Sequence, residues 1–160
     1  MEGFGGTVKE ASRFLNIIAG VALVFMMLVT VADVILRFFR RPIVGTYELV
    51  ALSGAVVVGF SVPFTSWQRG HIHVDFLIAR FSPRVRNIFH TVTRGLGIGL
   101  FFLVGWNLIS MGRDLYRSGE VSLTLQFPFY PVAYGVGISC LLQCLVLVCD
   151  IFKVWGGQYE

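Results

Sequence analysis

Four long apolar runs, separated by short polar segments, dominate the chain. The first run covers residues 16–36 and contains a single ionisable residue, Asp33, and the second covers residues 49–67 and contains none. A helix needs about 20 predominantly apolar residues to cross the hydrocarbon of a bilayer. The pattern therefore predicts four transmembrane helices, approximately at residues 14–37, 46–67, 83–111 and 128–151.

Two shorter segments complete the predicted architecture. Residues 1–15 are mixed in polarity and rich in Gly, which indicates a mobile leader that runs into an interfacial turn. Residues 72–81 interleave apolar side chains with His73, Asp75 and Arg80, a pattern typical of a segment that lies in the plane of the membrane surface. We expect one all-α integral membrane domain over residues 1–160, with four transmembrane helices and an interfacial amphipathic segment between helices 2 and 3.

The charge distribution supports a membrane protein. Only 14% of the 160 residues are charged, against roughly 25% in an ordinary soluble domain. The net charge is +4, but the basic residues cluster at the ends of the apolar runs, where they set topology and meet anionic lipid. We therefore predict membrane lipid, and no nucleic acid, as a partner.

The distribution of Lys and Arg also predicts the orientation of the chain. The side that holds the termini and the middle loop carries seven such residues, and the opposite side carries five. The seven are Lys9, Arg13, Arg69, Arg80, Arg84, Arg86 and Lys153, and the five are Arg37, Arg40, Arg41, Arg113 and Arg117. Because positively charged loops stay in the cytoplasm, both termini are expected to be cytoplasmic.

Small residues on the predicted helices indicate packing faces. Ala51, Ala55 and Gly59 repeat every four residues in the second helix, and Gly95 with Gly99 makes a GxxxG pair in the third. Such stripes let another helix approach closely within a bilayer. The chain therefore resembles a membrane subunit whose task is to bind another membrane protein.

Charged residues near helix ends have simple structural interpretations. Asp33 lies four residues before Arg37, the spacing of an acid–base pair on one helix face. Glu48 lies in the first turn of the second helix, where it suits the helix dipole. Arg94 lies one or two turns inside the third span, close enough for its side chain to reach back to the membrane surface.

The chain offers no set of residues typical of catalysis. No nucleophile, base and orienting residue occur together, so we predict that it is not an enzyme and needs no cofactor. His71, His73 and Asp75 are spaced so that their side chains align only in an extended chain, which favours polar interface residues over metal ligands. Two alternatives remain: a haem- or quinone-binding anchor of a respiratory complex, and a scaffold unrelated to transport.

The order of several short motifs resembles a known family. Arg37, Pro42 and the run of residues 45–49 (Gly-Thr-Tyr-Glu-Leu) precede about twenty apolar residues, and residues 70–75 (Gly-His-Ile-His-Val-Asp) follow them. This order, together with four spans and a Pro that opens the last one, is similar to the small membrane subunit of tripartite ATP-independent periplasmic (TRAP) transporters, the DctQ-type small permease. In this chain Gly70 and His71 are adjacent, whereas the family pattern places a residue between them.

The resemblance implies a role in secondary transport at a bacterial inner membrane. A periplasmic binding protein would capture an organic acid of the C4-dicarboxylate or sugar-acid class, and a large permease subunit would couple its uptake to a sodium gradient. The small subunit would pack beside the large one and help dock the binding protein. The family positions are Arg37, Glu48, Gly70, His71 and Asp75, which we expect to be structural or subunit-interface residues.

The two outer loops are expected to touch the binding protein. They cover residues 40–46 and 113–126. Four basic residues, of a type usually found at protein surfaces, lie in them: Arg40, Arg41, Arg113 and Arg117. Opposite charges steer association between proteins and weaken with salt. These four residues are therefore the predicted docking contacts.

Overall fold

The chain forms four long helices. The structure is a computed structural model that describes residues 2–68 and 83–155, with side chains for residues 6–68 and 91–151. The helices are α1 (Glu2–Phe38), α2 (Thr46–Trp67), α3 (Pro83–Ser118) and α4 (Tyr130–Trp155). Each has an apolar stretch long enough to cross a membrane, within Gly6–Phe38, Thr46–Trp67, Thr91–Ser118 and Tyr130–Ile151. The predicted all-α membrane fold with four spans is confirmed, whereas the predicted interfacial segment at residues 72–81 lies outside the described residues.

The first helix is longer than the apolar pattern indicated. We predicted a mobile leader over residues 1–15, and this was wrong, because α1 begins at Glu2. Val8 is 4% exposed and Ser12 is fully buried, and the Ser12 hydroxyl donates to the Val8 carbonyl one turn earlier at 2.8 Å. Burial of one face therefore stabilises a helix in a segment whose composition alone favours neither helix nor coil.

The helices are neighbours in the order α1, α2, α4, α3. Helix α2 packs on both α1 and α4, and α3 packs on α4. At the α2–α4 contact, a Cβ added to Gly59 would lie 2.7 Å from a methyl carbon of Val136, and the Ser139 hydroxyl donates to the Gly59 carbonyl at 2.6 Å. The absence of a side chain at Gly59 therefore allows the two backbones to approach closely.

A second seam of glycines joins α3 to α4. A Cβ at Gly105 would lie 3.2 Å from the carbonyl oxygen of Gly137, one at Gly97 would lie 3.2 Å from Leu147, and one at Gly112 would lie 3.2 Å from Tyr134. These three α3 glycines lie seven or eight residues apart, the spacing of a helix–helix seam. Close backbone approach along this seam gives α3 and α4 their extensive contact.

The predicted GxxxG pair lies on a different face of α3. A Cβ at Gly95 or at Gly99 would meet nothing within 4 Å. The pair therefore packs against no described residue of this chain. Its use against another chain stays a prediction.

An ion pair joins α3 to α4 at the end of the bundle that contains the start of α1. Arg94 lies close enough to the end of the span for its side chain to reach back, and the structure shows that side chain engaged within the bundle. The residue is 7% exposed, and its guanidinium donates to the Asp150 carboxylate through Nη2 at 3.0 Å and Nε at 3.1 Å. Since a charge in an apolar environment needs a partner, the nearby carboxylate holds Arg94 inside the bundle.

Candidate functional site

The candidate site lies at one end of the bundle, where two loops meet. We call this end the loop end: it consists of residues 39–45, which join α1 to α2, residues 119–129, which join α3 to α4, and the helix turns next to these loops. Loops carry binding functions in many proteins because a rigid scaffold positions them. Two carboxylates, one on each of the first two helices, fasten these loops.

Asp33 fastens the first loop to α1. Its Oδ2 accepts a hydrogen bond from Arg37 Nε at 2.7 Å, which confirms the acid–base pair expected from their spacing. Its Oδ1 accepts from the backbone N–H of Ile43 at 2.9 Å. The Asp33 side chain is 6% exposed and the Arg37 side chain is 52% exposed, so the carboxylate is enclosed while the guanidinium reaches the surface.

The first loop begins with a tight helix end. The N–H of Arg41 donates to the Leu36 carbonyl at 2.9 Å, and the N–H of Arg40 donates to the Arg37 carbonyl at 3.0 Å, the two bonds of a Schellman motif. Arg40 has φ 57°, in the left-handed region where Gly is usual. The motif thus places two consecutive Arg residues at the surface, since both are exposed.

Glu48 fastens the second loop to α2. Its carboxylate accepts hydrogen bonds from the Ser122 hydroxyl, from the backbone N–H of Thr124 at 2.9 Å and from the backbone N–H of Leu125 at 3.0 Å. Ser122 is 1% exposed although it lies in a loop. Glu48 lies in the first turn of α2, as the dipole argument expected, but its oxygens bind the second loop across 74 residues of sequence.

The two loops also contact each other. Gly45 has φ 82°, a conformation that other residues rarely adopt, and a Cβ there would lie 2.6 Å from Cγ of Leu125. The second loop is closed on itself, because the Ser122 N–H donates to the Phe127 carbonyl at 2.9 Å and the Gln126 N–H donates to the Ser122 carbonyl at 3.1 Å. The loop end is therefore one connected unit.

The surface of the loop end combines apolar and basic side chains. Leu123, at the tip of the second loop, is 99% exposed, and Tyr47 and Val44 are 81% and 70% exposed. The predicted docking residues Arg40, Arg41, Arg113 and Arg117 are all exposed at the same end of the bundle. Asp114 and Glu120 are also exposed at this end, so the surface combines apolar, basic and acidic side chains and is suited to a partner of complementary charge.

The structure brings together only some of the predicted site residues. Arg37 and Glu48 both lie at the loop end, each bound to a partner within the chain. Gly70, His71 and Asp75 lie outside the described residues. Ala51 and Ala55 are exposed on α2, in contrast to Gly59.

Sequence reasoning missed two features of the bundle. One is the role of Ser122 and its loop as the partner of Glu48, which no local spacing reveals. The other is the pair of Arg94 with Asp150, for which a signal existed: Asp150 is the single acidic residue between positions 128 and 155, and four antiparallel spans place it at the depth of Arg94.

The described residues contain no group of His, Cys, Asp and Glu suited to holding a metal ion. Polar side chains deep in the spans are used between helices: Ser139 donates to Gly59, and the Gln143 amide donates to Ser66 Oγ at 2.6 Å. These contacts join α4 to α2.

Comparison with known proteins identifies the family. The family model described as "Tripartite ATP-independent periplasmic transporters, DctQ component" matches residues 26–157. Searches of curated proteins and of solved structures each returned no match. The match leaves the haem- or quinone-anchor alternative without support, and it implies association with the large permease and the substrate-binding protein. Given four membrane-spanning helices and a family match over most of its length, the chain belongs to the DctQ family, the small permease subunits of TRAP transporters.

Proposed function

We propose that this chain is the non-catalytic small permease of a sodium-coupled TRAP transporter that takes up an organic acid of the C4-dicarboxylate or sugar-acid class. It packs against the large permease and helps dock the periplasmic substrate-binding protein. It resides in the bacterial inner membrane with both termini in the cytoplasm, which places the loop end in the periplasm. The outward-facing side chains of α1, such as Val21 and Leu28 at 65% and 64% exposure, contact membrane lipid.

The observation that carries the docking proposal is the anchored second loop. Glu48 holds the backbone N–H groups of Thr124 and Leu125, and Leu123 between them is 99% exposed. An exposed Leu on a mobile loop would tend to fold back onto the bundle, whereas a fastened loop keeps it available to a partner. Pre-organisation of this kind lowers the entropy lost on binding.

Arg37 and Glu48 act in this proposal as structural residues of the loop end. Each is engaged with a group of this chain, which supports a positioning role over a direct contact with substrate or sodium. Glu48→Gln in liposomes reconstituted with all three components should therefore impair docking while leaving the sodium dependence of the remaining uptake unchanged. Intact assembly with abolished sodium coupling would contradict this assignment.

Charge reversal tests the docking surface directly. Arg40→Glu, Arg41→Glu or Arg117→Glu should weaken binding of the substrate-binding protein to the purified membrane complex, because each replaces attraction by repulsion at the loop end. The difference from wild type should shrink as salt rises from about 0.05 to 0.5 M, since the Debye length falls below 10 Å. Surface-immobilised complex and soluble binding protein allow this measurement.

Arg13 provides a matched control at the other end of the bundle. It is an exposed Arg on α1, far from the loop end, and the proposed orientation places it in the cytoplasm. Arg13→Glu changes the net charge by the same amount and should leave docking unchanged. Equal weakening by Arg13→Glu and Arg40→Glu would refute a local docking surface.

A further inference from the structure

The side of α3 that faces away from α4 presents a regular row of exposed side chains. Leu96, Leu100 and Leu103 are 71%, 60% and 67% exposed, and Asn107 continues the row and is also exposed. Gly105, which lies against α4, is on the opposite side of the helix. The intervals along the row are four, three and four residues, the spacing at which side chains form one seam along a helix. We call these four residues, Leu96, Leu100, Leu103 and Asn107, the outward face of α3.

Asn107 lies deep within the membrane-spanning part of the bundle. A Cβ at Gly105 would lie 3.2 Å from the Gly137 carbonyl oxygen, and one at Gly137 would lie 3.0 Å from a side-chain carbon of Ile109. Asn107, midway between Gly105 and Ile109, is therefore level with Gly137, which lies seven residues inside the apolar span that begins at Tyr130. At 1.5 Å per residue this is a depth of about 10 Å in a hydrocarbon layer of about 30 Å. The exposed Asn107 side chain hence faces the hydrocarbon and not water.

The Asn107 amide has no hydrogen-bond partner among the described residues of this chain. Thr30 on α1 is also an exposed polar residue within a span, but its hydroxyl donates to the Met26 carbonyl one turn earlier at 2.8 Å. Thr30 therefore satisfies its hydroxyl within its own helix, as Ser and Thr can do in a membrane. An amide that faces hydrocarbon without a hydrogen bond is costly. The outward face of α3 thus differs from the lipid-facing surface of α1, because it holds a polar group that needs an external partner.

We propose that the outward face of α3 binds a transmembrane helix of the large permease, and that a polar side chain on that helix exchanges hydrogen bonds with the Asn107 amide. This inference rests on the proposed function, since it assigns the large permease to one particular face of the chain. The three Leu side chains pack against the partner helix, and Asn107 fixes its register. Gly99, one turn before Leu103, is exposed and leaves room for a side chain of the partner.

The Asn107 amide distinguishes a helix from a lipid as the occupant. Acyl chains offer neither a donor nor an acceptor at this depth, whereas Ser, Thr, Asn, Gln or His side chains of a second helix hydrogen-bond across such interfaces. A Leu seam interrupted by a single Asn is also the pattern by which paired helices specify their register at some cost in stability. Family membership supplies a partner that is itself embedded in the membrane, so the occupant is a helix of the large permease.

Site-specific photo-crosslinking tests the assignment in intact membranes. The amino acid p-benzoylphenylalanine replaces Leu103 on the outward face or, as a matched control, Leu28 on α1, whose exposure of 64% is close to the 67% of Leu103. The chain is co-expressed with its large permease and binding protein and irradiated in the membrane. We expect an adduct with the large permease from position 103 and only background from position 28.

Three results would overturn the inference. They are the absence of a large-permease adduct from position 103, with lipid adducts alone or none; an adduct with a second copy of this chain in place of the large permease; and equal adducts with the large permease from positions 103 and 28. The second result matters because an amide can pair with the same amide of another copy. Mass spectrometry of the purified adduct separates these outcomes.

Substitution of the amide provides a second measurement. The two permease subunits are labelled for Förster energy transfer and co-reconstituted in liposomes over a series of lipid-to-protein ratios. Asn107→Leu should weaken their association about threefold, the effect of an average interhelical hydrogen bond in a membrane. Asn107→Gln retains an amide and should weaken it less, whereas Thr30→Leu, a similar loss of polarity on α1, should leave it unchanged. Equal association of Asn107→Leu and wild type would refute the role of the amide.

The same measurements separate this inference from the proposed function. If the wild-type chain fails to associate with the large permease, the proposed function itself is wrong. If wild type associates and Asn107→Leu associates equally well, the proposed function stands and the assignment of the outward face falls. Thermal unfolding of the isolated chain is the control for fold: Asn107→Leu should be at least as stable as wild type, because the amide faces hydrocarbon there. A clear loss of stability would mean that the amide acts within the chain, which also contradicts the inference.

Discussion

The close contact between α2 and α4 makes Gly59 a sensitive position. In Gly59→Ala, the new Cβ would lie 2.7 Å and 2.9 Å from the two methyl carbons of Val136. Carbon atoms pack best at about 3.5–4.0 Å, so the added atom intrudes by roughly 1 Å. Val136 cannot easily turn away, because a β-branched side chain in a helix has one strongly preferred rotamer. The helices must therefore separate, which lengthens the 2.6 Å bond from the Ser139 hydroxyl to the Gly59 carbonyl.

Gly54 provides a control that isolates the free-energy cost of the clash at Gly59. It lies in the same helix, and a Cβ there would meet nothing within 4 Å. Replacing either Gly by Ala improves helix propensity by about 1 kcal/mol, whereas overpacking a tight contact costs about 1–3 kcal/mol. We therefore expect Gly54→Ala to be neutral or stabilising, and Gly59→Ala to be less stable than Gly54→Ala by about 2 kcal/mol.

Unfolding of the purified protein in mixed detergent micelles, followed by Trp fluorescence, measures this difference. Adding Val136→Ala to Gly59→Ala removes the clashing methyl groups and should recover part of the loss, with a coupling of about 1 kcal/mol in a double-mutant cycle. Equal stability of Gly59→Ala and Gly54→Ala, or the absence of coupling to Val136, would refute the close-contact argument.

Three further perturbations test the polar contacts. Glu48→Gln should accelerate hydrogen exchange of the amides in the second loop, while the amides of the helices, as an internal control, keep their wild-type rates. Arg94→Met should cost roughly 3 kcal/mol because Asp150 stays in a largely apolar site without its partner, and Arg94→Met combined with Asp150→Leu should regain most of that loss; a simply additive loss would contradict the ion-pair argument. Arg40→Gly should raise stability by about 0.5 kcal/mol because Gly favours the left-handed conformation, whereas Arg41→Gly at the next residue should lower it; thermal unfolding compares the two.

Local patterns predicted the helices and the contacts within them. Long apolar runs predicted four spans, and the expected start of the third at residue 83 agrees with the start of α3 at Pro83. The four-residue spacing of Asp33 and Arg37 predicted their pair, because residues four apart share a helix face. Composition misled at residues 2–15, where tertiary burial of Val8 outweighs the Gly-containing, polar sequence.

Contacts between distant segments were beyond local reasoning. Glu48 binds a loop more than 70 residues away, and Arg94 binds Asp150 across 56 residues, so no spacing rule connects them. The glycines of α3 show the same limit. The four-residue interval predicted a packing face at Gly95 and Gly99. The glycines that contact α4 are instead Gly97, Gly105 and Gly112, because the position of α4 decides which face of α3 is covered.

The placement of the polar contacts favours a static role for this subunit within the transporter. Asp33 and Glu48 hold the loops to the helices at the loop end, and the pair of Arg94 with Asp150 joins α3 to α4 at the other end. Between these ends, Gly59 allows α2 and α4 to pack in close contact. Packed interfaces of this kind resist gradual deformation, and they rearrange only between discrete arrangements. A bundle fastened in this way would hold the loop end in one shape before a partner arrives, which lowers the entropy lost on association. Under the proposed function, the motions of transport would then belong to the large permease, with this chain as the rigid body against which they occur.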